Sequence, residues 1–232
     1  MKTHLLALLL CGLATAASAQ APERAITDPM SVSAAATPAV APPPIRDLFD
    51  AHASLGAAWS ADGSSAIVST NLGGRFNLWR FPIRGGAPEQ ISKSDDREWG
   101  QVVSPDGKSV VYQSDRAGGE HYDLFATPTT GGEAVNLTNT PDVSETEAQF
   151  SPDGRTIAFD RKLASEPGAN LAVMDFATHQ VRLLTHEADP KMTWRVVAWT
   201  DGGAALIADR ANFLGTKGGV WKVDVATGAA KA

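Results

Sequence analysis

One cysteine, two tyrosines and five histidines are all that the 232 residues contain of these types. Cys11 lies inside an N-terminal apolar segment, so a chain processed behind that segment carries no thiol. Such a chain has neither disulfides nor thiol catalysis, and its stability must come from packing. The histidines (His4, His52, His121, His179 and His186) are scattered, and no two share a metal-ligand spacing. Beyond the N-terminal segment no stretch approaches the ~20 apolar residues of a membrane span. Positive charge is scarce as well: the formal net charge is −6 and there is no basic stripe, which argues against nucleic acid as a partner.

The N-terminus reads as an export signal. Lys2 gives a short positive region, Leu5 to Ala14 an apolar one, and Ala17-Ser18-Ala19 before Gln20 fits a small-residue cleavage site. Residues 1–19 are therefore expected to be a signal peptide, and the mature protein to be exported, periplasmic or secreted, without membrane insertion. Residues 20–44, rich in Ala, Pro, Ser and Thr and ending in Ala41-Pro42-Pro43-Pro44, read as an extended linker. Blade-like sequence starts near Ile45, where Arg46 to Asp50 is read as a lone strand.

What the chain has in quantity is a repeat. Trp59-Ser60-Ala61-Asp62-Gly63, Val103-Ser104-Pro105-Asp106-Gly107, Phe150-Ser151-Pro152-Asp153-Gly154 and the shorter Trp199-Thr200-Asp201-Gly202 recur with Asp spacings of 44, 47 and 48 residues. An apolar or alternating run follows each turn: Ala66-Ile67-Val68, Val110-Val111-Tyr112, Ile157-Ala158-Phe159 and Ala205-Leu206-Ile207. A second run follows, around Leu78, Leu124, Leu171 and Val220. An outer strand is expected at Gln90-Ile91-Ser92, Asn136-Leu137-Thr138 and Leu183-Leu184-Thr185. Four strands per repeat predict an all-β fold, a β-propeller of about four four-stranded blades over residues 45–232. After Thr227-Gly228 only Ala229-Ala230-Lys231-Ala232 remain, so the last blade is expected to lack its outer strand and the propeller to be incomplete.

The turns have a structural reason. Asp can accept from backbone N–H groups ahead of it, Pro presets φ, and Gly takes the positive φ of a tight hairpin. One carboxylate per copy is far short of a Ca²⁺ site. The residues before the turns, Trp59, Phe150 and Trp199 among them, are expected to point into the core between blades. The sequon Asn136-Leu137-Thr138 falls on an expected outer strand and reads as structural.

Catalytic signatures are missing. There is no Gly-x-Ser-x-Gly elbow, His186-Glu187 lacks a second His four residues on, and Gly107-Lys108-Ser109 lacks the first glycine of a phosphate loop. No catalytic residue, metal or cofactor is expected. Binding is expected on the propeller face opposite the Asp-Gly turns, where the longer charged loops gather. The candidate residues are Asp95, Asp96, Arg97, Arg116, Glu120, His121, Glu145, Glu147, Arg161 and His186.

The Ser-Pro-Asp-Gly turns, with ends such as Gly131-Gly132-Glu133-Ala134-Val135-Asn136-Leu137-Thr138, resemble the WD-like repeats shared by TolB-type periplasmic proteins and the N-terminal domains of prolyl oligopeptidase family serine peptidases. Ser94-Asp95-Asp96-Arg97, the run from Ser114 to Leu124 and the opening Arg46-Asp47-Leu48-Phe49 resemble exported acylaminoacyl-peptidase and dipeptidyl-peptidase-like members. The resemblance implies a propeller that gates or docks peptides for a C-terminal α/β-hydrolase module, which this chain does not contain. The partner is then a peptide substrate or that module. The other reading is a stand-alone TolB-like propeller that binds a protein partner. The paired glutamates with which dipeptidyl peptidases hold a substrate amine have no counterpart, since no Glu-Glu occurs.

Overall fold

The computed structural model describes residues 43–115 and 118–232. The expected signal peptide, most of the expected linker and Arg116 lie outside the described residues. The chain divides into two units, residues 1–49 and 50–232. In the first, Ile45–Phe49 form a five-residue helix, α1, where the sequence suggested a strand. The amide of Asp47 donates to the carbonyl of Pro44 at 2.9 Å, so the proline run starts a helical turn. Five residues are too few to display a helical period, and the reading as a strand had nothing to correct it.

The second unit is four antiparallel four-stranded sheets, each laid out in chain order. Blade 1 holds β1 (Ser54–Trp59), β2 (Ser65–Thr70), β3 (Asn77–Pro82) and β4 (Glu89–Gln90). Blade 2 holds β5 (Glu98–Val103), β6 (Ser109–Asp115), β7 (Tyr122–Pro128) and β8 (Val135–Asn136). Blade 3 holds β9 (Val143–Phe150), β10 (Thr156–Leu163), β11 (Asn170–Asp175) and β12 (Val181–Leu183). Blade 4 holds β13 (Met192–Trp199), β14 (Ala205–Asn212), β15 (Gly218–Asp224) and β16 (Ala230–Lys231). The first strands β1, β5, β9 and β13 follow one another in space as the inner strands of the array.

The Ser-x-Asp-Gly turns close as their chemistry dictates. The serine hydroxyl donates to the aspartate at 2.7, 2.6 and 2.7 Å in the first three blades, and accepts the amide five residues on at 2.9, 3.0 and 3.0 Å. Each aspartate also accepts the amide two residues ahead, from Ser64, Lys108 and Arg155. Gly63, Gly107 and Gly154 take φ of 66°, 73° and 72°, which a residue with a Cβ adopts only with strain. In blade 4 the shorter turn becomes a 3-10 turn at Asp201–Gly203, where Thr200 bonds Ala205 through both its amide and its Oγ1.

The other end of each repeat is a two-way clasp. Ile91, Leu137 and Leu184 donate their amides to the carbonyls of Leu78, Leu124 and Leu171. The following hydroxyls, Ser92, Thr138 and Thr185, accept the amides of the same leucines at 2.8, 3.1 and 2.9 Å. The apolar residue of the pair goes into the core and its polar neighbour ties down the third strand. Asn136 is used in the same region: it donates to Asp123 Oδ2 at 2.6 Å and accepts the amides of Thr138 and Asn139.

The core lies in three seams between consecutive blades. Ile67, Leu78, Ile91, Val110 and Tyr112 fill the first; a cluster around Leu124, Ile157, Phe159 and Met174 fills the second. Leu171, Trp194, Leu206 and Val223 anchor the third. Full burial of one such side chain stabilises by about 1.5–3 kcal/mol. Second strands between two neighbours are buried on both faces, which is why Val110-Val111-Tyr112 reads as a continuous apolar run rather than an alternating one.

Two expectations fail here. Trp59 is 66% exposed, not buried between blades. Its counterparts, half-buried Phe150 and Trp199, pack back toward the preceding blade, as shown by Trp199 Nε1 donating to Gln149 O at 3.0 Å, and among the described residues blade 1 has no preceding blade. The last blade, moreover, has its outer strand, because Ala230 and Lys231 pair with Val223 and Lys222. The missing Leu-Thr signature concealed it.

Candidate functional site

On the face opposite the Asp-Gly turns, a cleft of about 530 Å³ collects Arg75, Asp95, Asp96, Arg97, Asp115 and Glu120. Four of the ten candidate residues therefore meet in one place. The β2–β3 loop supplies Arg75, which grips Asp95 twice: Nε lies 3.3 Å from its carboxylate and Nη1 donates to its carbonyl at 2.9 Å. Arg97 donates to the Tyr122 hydroxyl at 2.9 Å, and its guanidinium stands 5.6 Å from the centroid of the Trp99 ring. Trp99 and Tyr122 meet edge to face at 5.8 Å, so the cation rests on a fixed aromatic corner. Glu120 adopts φ of 56° at the cleft wall. Arg75 and Tyr122 are not among the candidates read from the sequence: Arg75 meets Asp95 across 20 residues, and Tyr122 meets Arg97 across 25. Chemically the cleft can bind and orient a polar, charged chain.

The remaining candidates are placed elsewhere. His121 and His186 are exposed loop residues. Glu145 is 1% exposed: it accepts the Thr140 hydroxyl at 2.7 Å, and Arg161 Nε lies 3.7 Å away. Burial raises its pKa, and this carboxyl belongs to a seam rather than to the exposed rim expected from the sequence. Glu98 is its counterpart one blade earlier. It accepts from Asn77 at 3.0 Å and from Ser92, beside Tyr112, and burial raises its pKa too. Next to His186, Glu187 holds Arg210 through two bonds of 2.7 and 2.8 Å, and that bonding lowers the carboxylate's pKa.

Glu147 lies on an inner strand. All four inner strands break register near their middle, opposite Ser69, Tyr112, Phe159 and between Ile207 and Ala208. Three of the breaks hold a left-handed residue: Gly56 at φ 79°, Gly100 at 64° and Glu147 at 56°. At Gly100 a Cβ would come within 2.8 Å of Gln113 Oε1, so a side chain there would push Gln113 from its place. Glu147 is the exception, and a non-glycine residue in this region costs on the order of 1–3 kcal/mol.

Polar groups of each blade answer these breaks in the next. Gln113 Oε1 accepts the Glu147 amide at 3.1 Å, and Asp160 Oδ1 accepts the Val196 amide at 2.7 Å. Ser69 donates to the Glu98 carbonyl. Burial pushes Asp160 up to about 8, helped by the nearby charge of Glu147.

Three comparisons with known proteins agree with this architecture. The TolB beta propeller domain model, PD40, matches residues 49–194, more than half of the chain. A putative TolB from Agrobacterium tumefaciens superposes with a TM-score of 0.62 at 17% identity, covering 78% of this chain and 61% of that one. A puromycin hydrolase superposes with a TM-score of 0.58 at 15% identity, covering 77% of this chain and 30% of that one. Both show the fold alone. In sequence, 81 residues are 32% identical to the uncharacterized peptidase YuxL of Bacillus subtilis (strain 168), covering 35% of this chain and 12% of the peptidase. The chain thus spans less than two thirds of each of these relatives. With its matched span, its four four-stranded blades and its repeated turns, the chain belongs to the TolB β-propeller domain family.

Proposed function

We propose that this chain is the propeller of an exported serine peptidase, docking or gating peptides for a C-terminal α/β-hydrolase module. The carrying observation is the charged cleft on the loop face, where Arg75, Arg97, Asp95, Asp96 and Glu120 offer donors and acceptors suited to peptide groups on a rigid scaffold. The sequence likeness to a peptidase supports the same reading. A second reading, a TolB-like propeller that binds a protein partner on this face, draws support from the superposition on TolB.

Chemistry on a serine requires a nucleophile and base within hydrogen-bond reach, and the sequence carries no elbow to expose one. The chain by itself is expected neither to cleave acylated or X-Pro chromogenic peptides nor to react with a fluorophosphonate. A polypeptide that continues into a hydrolase module is expected to do both. Reading the coding sequence downstream decides between the two functions: a Gly-x-Ser-x-Gly motif followed by Asp and His supports the peptidase. A stop codon after further blades supports the binding protein. Stoichiometric fluorophosphonate labelling of a serine in this chain alone would refute the non-catalytic role.

A further inference from the structure

Beside the register breaks of blades 1, 2 and 3 lies an axial cavity of about 430 Å³, separate from the loop-face cleft. Gly56, Gly100, Gln101 and Glu147 are part of its wall, and among the described residues Glu147 is its one charged lining group. The Glu147 carboxylate is exposed and has no side-chain partner among the described residues, although its backbone is held in a conformation that glycine fills in the two preceding blades. A glycine here would relieve the strain, so the carboxylate stands in the cavity wall at a cost to the backbone.

Gln101 is the second, independent observation. Its side chain is buried, at 6% exposure, and its amide nitrogen is fully committed, donating to Gly56 O at 2.9 Å and Ile67 O at 3.1 Å. Two carbonyl partners fix the orientation of the carboxamide, because a flipped amide would set oxygen against oxygen. Oε1 is therefore an acceptor, and it is buried without a partner. The cavity wall thus combines a buried neutral acceptor and the unpartnered indole N–H of Trp99 with an exposed carboxylate, and Gly56 leaves open space beside them.

We propose that this axial cavity is a binding site for a primary ammonium group, presented by a lysine side chain of a bound peptide, with Glu147 supplying charge and Gln101 Oε1 a hydrogen-bond acceptor. An ammonium has three donors and one positive charge, and it matches a carboxylate and a carbonyl together better than a neutral or anionic group does. The peptide part of this inference rests on the docking role proposed above; the ammonium part does not.

The test uses the ¹⁵N-labelled full chain and two kinds of probe: n-butylammonium chloride, and acetylated, amidated Gly-Gly-Lys-Gly-Gly beside its norleucine analogue. The Gln101 side-chain NH₂ and Gly100 amide resonances are followed at low salt. Saturable shifts with butylammonium and the lysine peptide are expected, with the norleucine peptide weaker by at least about tenfold. Glu147→Gln is expected to weaken the lysine peptide by about tenfold. Glu147→Gly is expected to lose binding equally while melting at a higher temperature, which separates loss of the site from loss of the fold. Equal binding of the two peptides, or unchanged binding by Glu147→Gln, overturns the ammonium site and leaves peptide docking standing. Butylammonium shifts with no peptide bound anywhere on the protein overturn the docking role and leave the ammonium site standing. No saturable shift at Gln101 with either probe overturns the site.

Discussion

The Asp-Gly turns and the blade seams both depend on acidic side chains, and they use them in opposite senses. At the turns the carboxylates are exposed and bonded to their neighbours: the Ser60 hydroxyl, with the amide and hydroxyl of Ser64, holds Asp62 at about 2, and Ser104 and Ser151 lower Asp106 and Asp153 in the same way. In the seams, burial raises Glu98, Glu145 and Asp160. A turn carboxylate works as an anion that organises a few neighbouring amides. A seam carboxyl is held as an acceptor at the cost of its burial, and it ties together elements of one blade or of neighbouring blades. The two regions should therefore respond differently to truncation and to pH.

The strongest contrast is between two tryptophans at equivalent repeat positions. Trp199→Ala, which loses a seam contact and the bond to Gln149, is expected to cost about 3 kcal/mol. Trp59→Ala, at an exposed position, should cost less than about 1 kcal/mol. Urea unfolding of both variants checks this, and equal losses would break the seam assignment. Asp160→Asn sharpens the pH contrast. Its folded carboxyl titrates near 8, well above the unfolded value of 3.8, so the folded chain holds the proton longer and stability falls as pH rises between the two. The asparagine keeps an acceptor for Val196 and has no proton to lose. It should melt higher than the parent at pH 9, by about 5 °C, with the gap closing toward pH 4; a constant gap would count against a protonated seam.

Two serines extend the comparison to smaller effects. Ser92→Ala removes the acceptor of the Leu78 amide and a donor to buried Glu98, and is expected to cost about 1–3 kcal/mol. Ser104→Ala, in a turn open to water, should cost about 1 kcal/mol or less. The reverse order in thermal melts would place the main latch in the turns. The smallest effect belongs to Asp106→Asn. Its folded pKa lies below the ordinary value, so its contribution is present above the unfolded pKa and is lost as pH falls through the folded one. The variant should melt slightly below the parent at pH 7 and together with it near pH 2.

What the sequence discloses follows the same division. Ser104, Asp106 and Gly107 stand close enough for the turn to be read as a word, and with it came the blade count and the strand order. The clasp of Leu137-Thr138 was visible as an ending, but its partner Leu124 lies thirteen residues back, so its purpose was not. The register breaks share no residue type: Gly56, Gly100 and Glu147 have in common only a backbone angle, which no pattern of side chains encodes. Of the candidate site, the acidic and basic loop of residues 95–97 was legible as a charged stretch. Its pairing with Arg75 and Tyr122 depends on which loop ends the strand pairing brings together, Arg75 from blade 1 and Tyr122 from blade 2. Glu145 looked like a rim residue because its burial comes from Thr140 and Arg161, contributed by a connecting loop and a neighbouring strand.

The seam bonds also give the molecule a direction. In each named case a side chain of one blade's second strand, Ser69, Gln113 or Asp160, engages the inner strand of the blade that follows, at separations of 29, 34 and 36 residues. Gln101 and Trp199 reach back only 45 and 50 residues. Contacts this short in sequence carry a small loop-closure cost, and nearest-neighbour stacking lets structure spread from any finished unit. A polypeptide delivered N-terminus first therefore offers each arriving blade a surface already set with its hydrogen-bonding partners, and it can fold in step with its delivery instead of waiting for its far end.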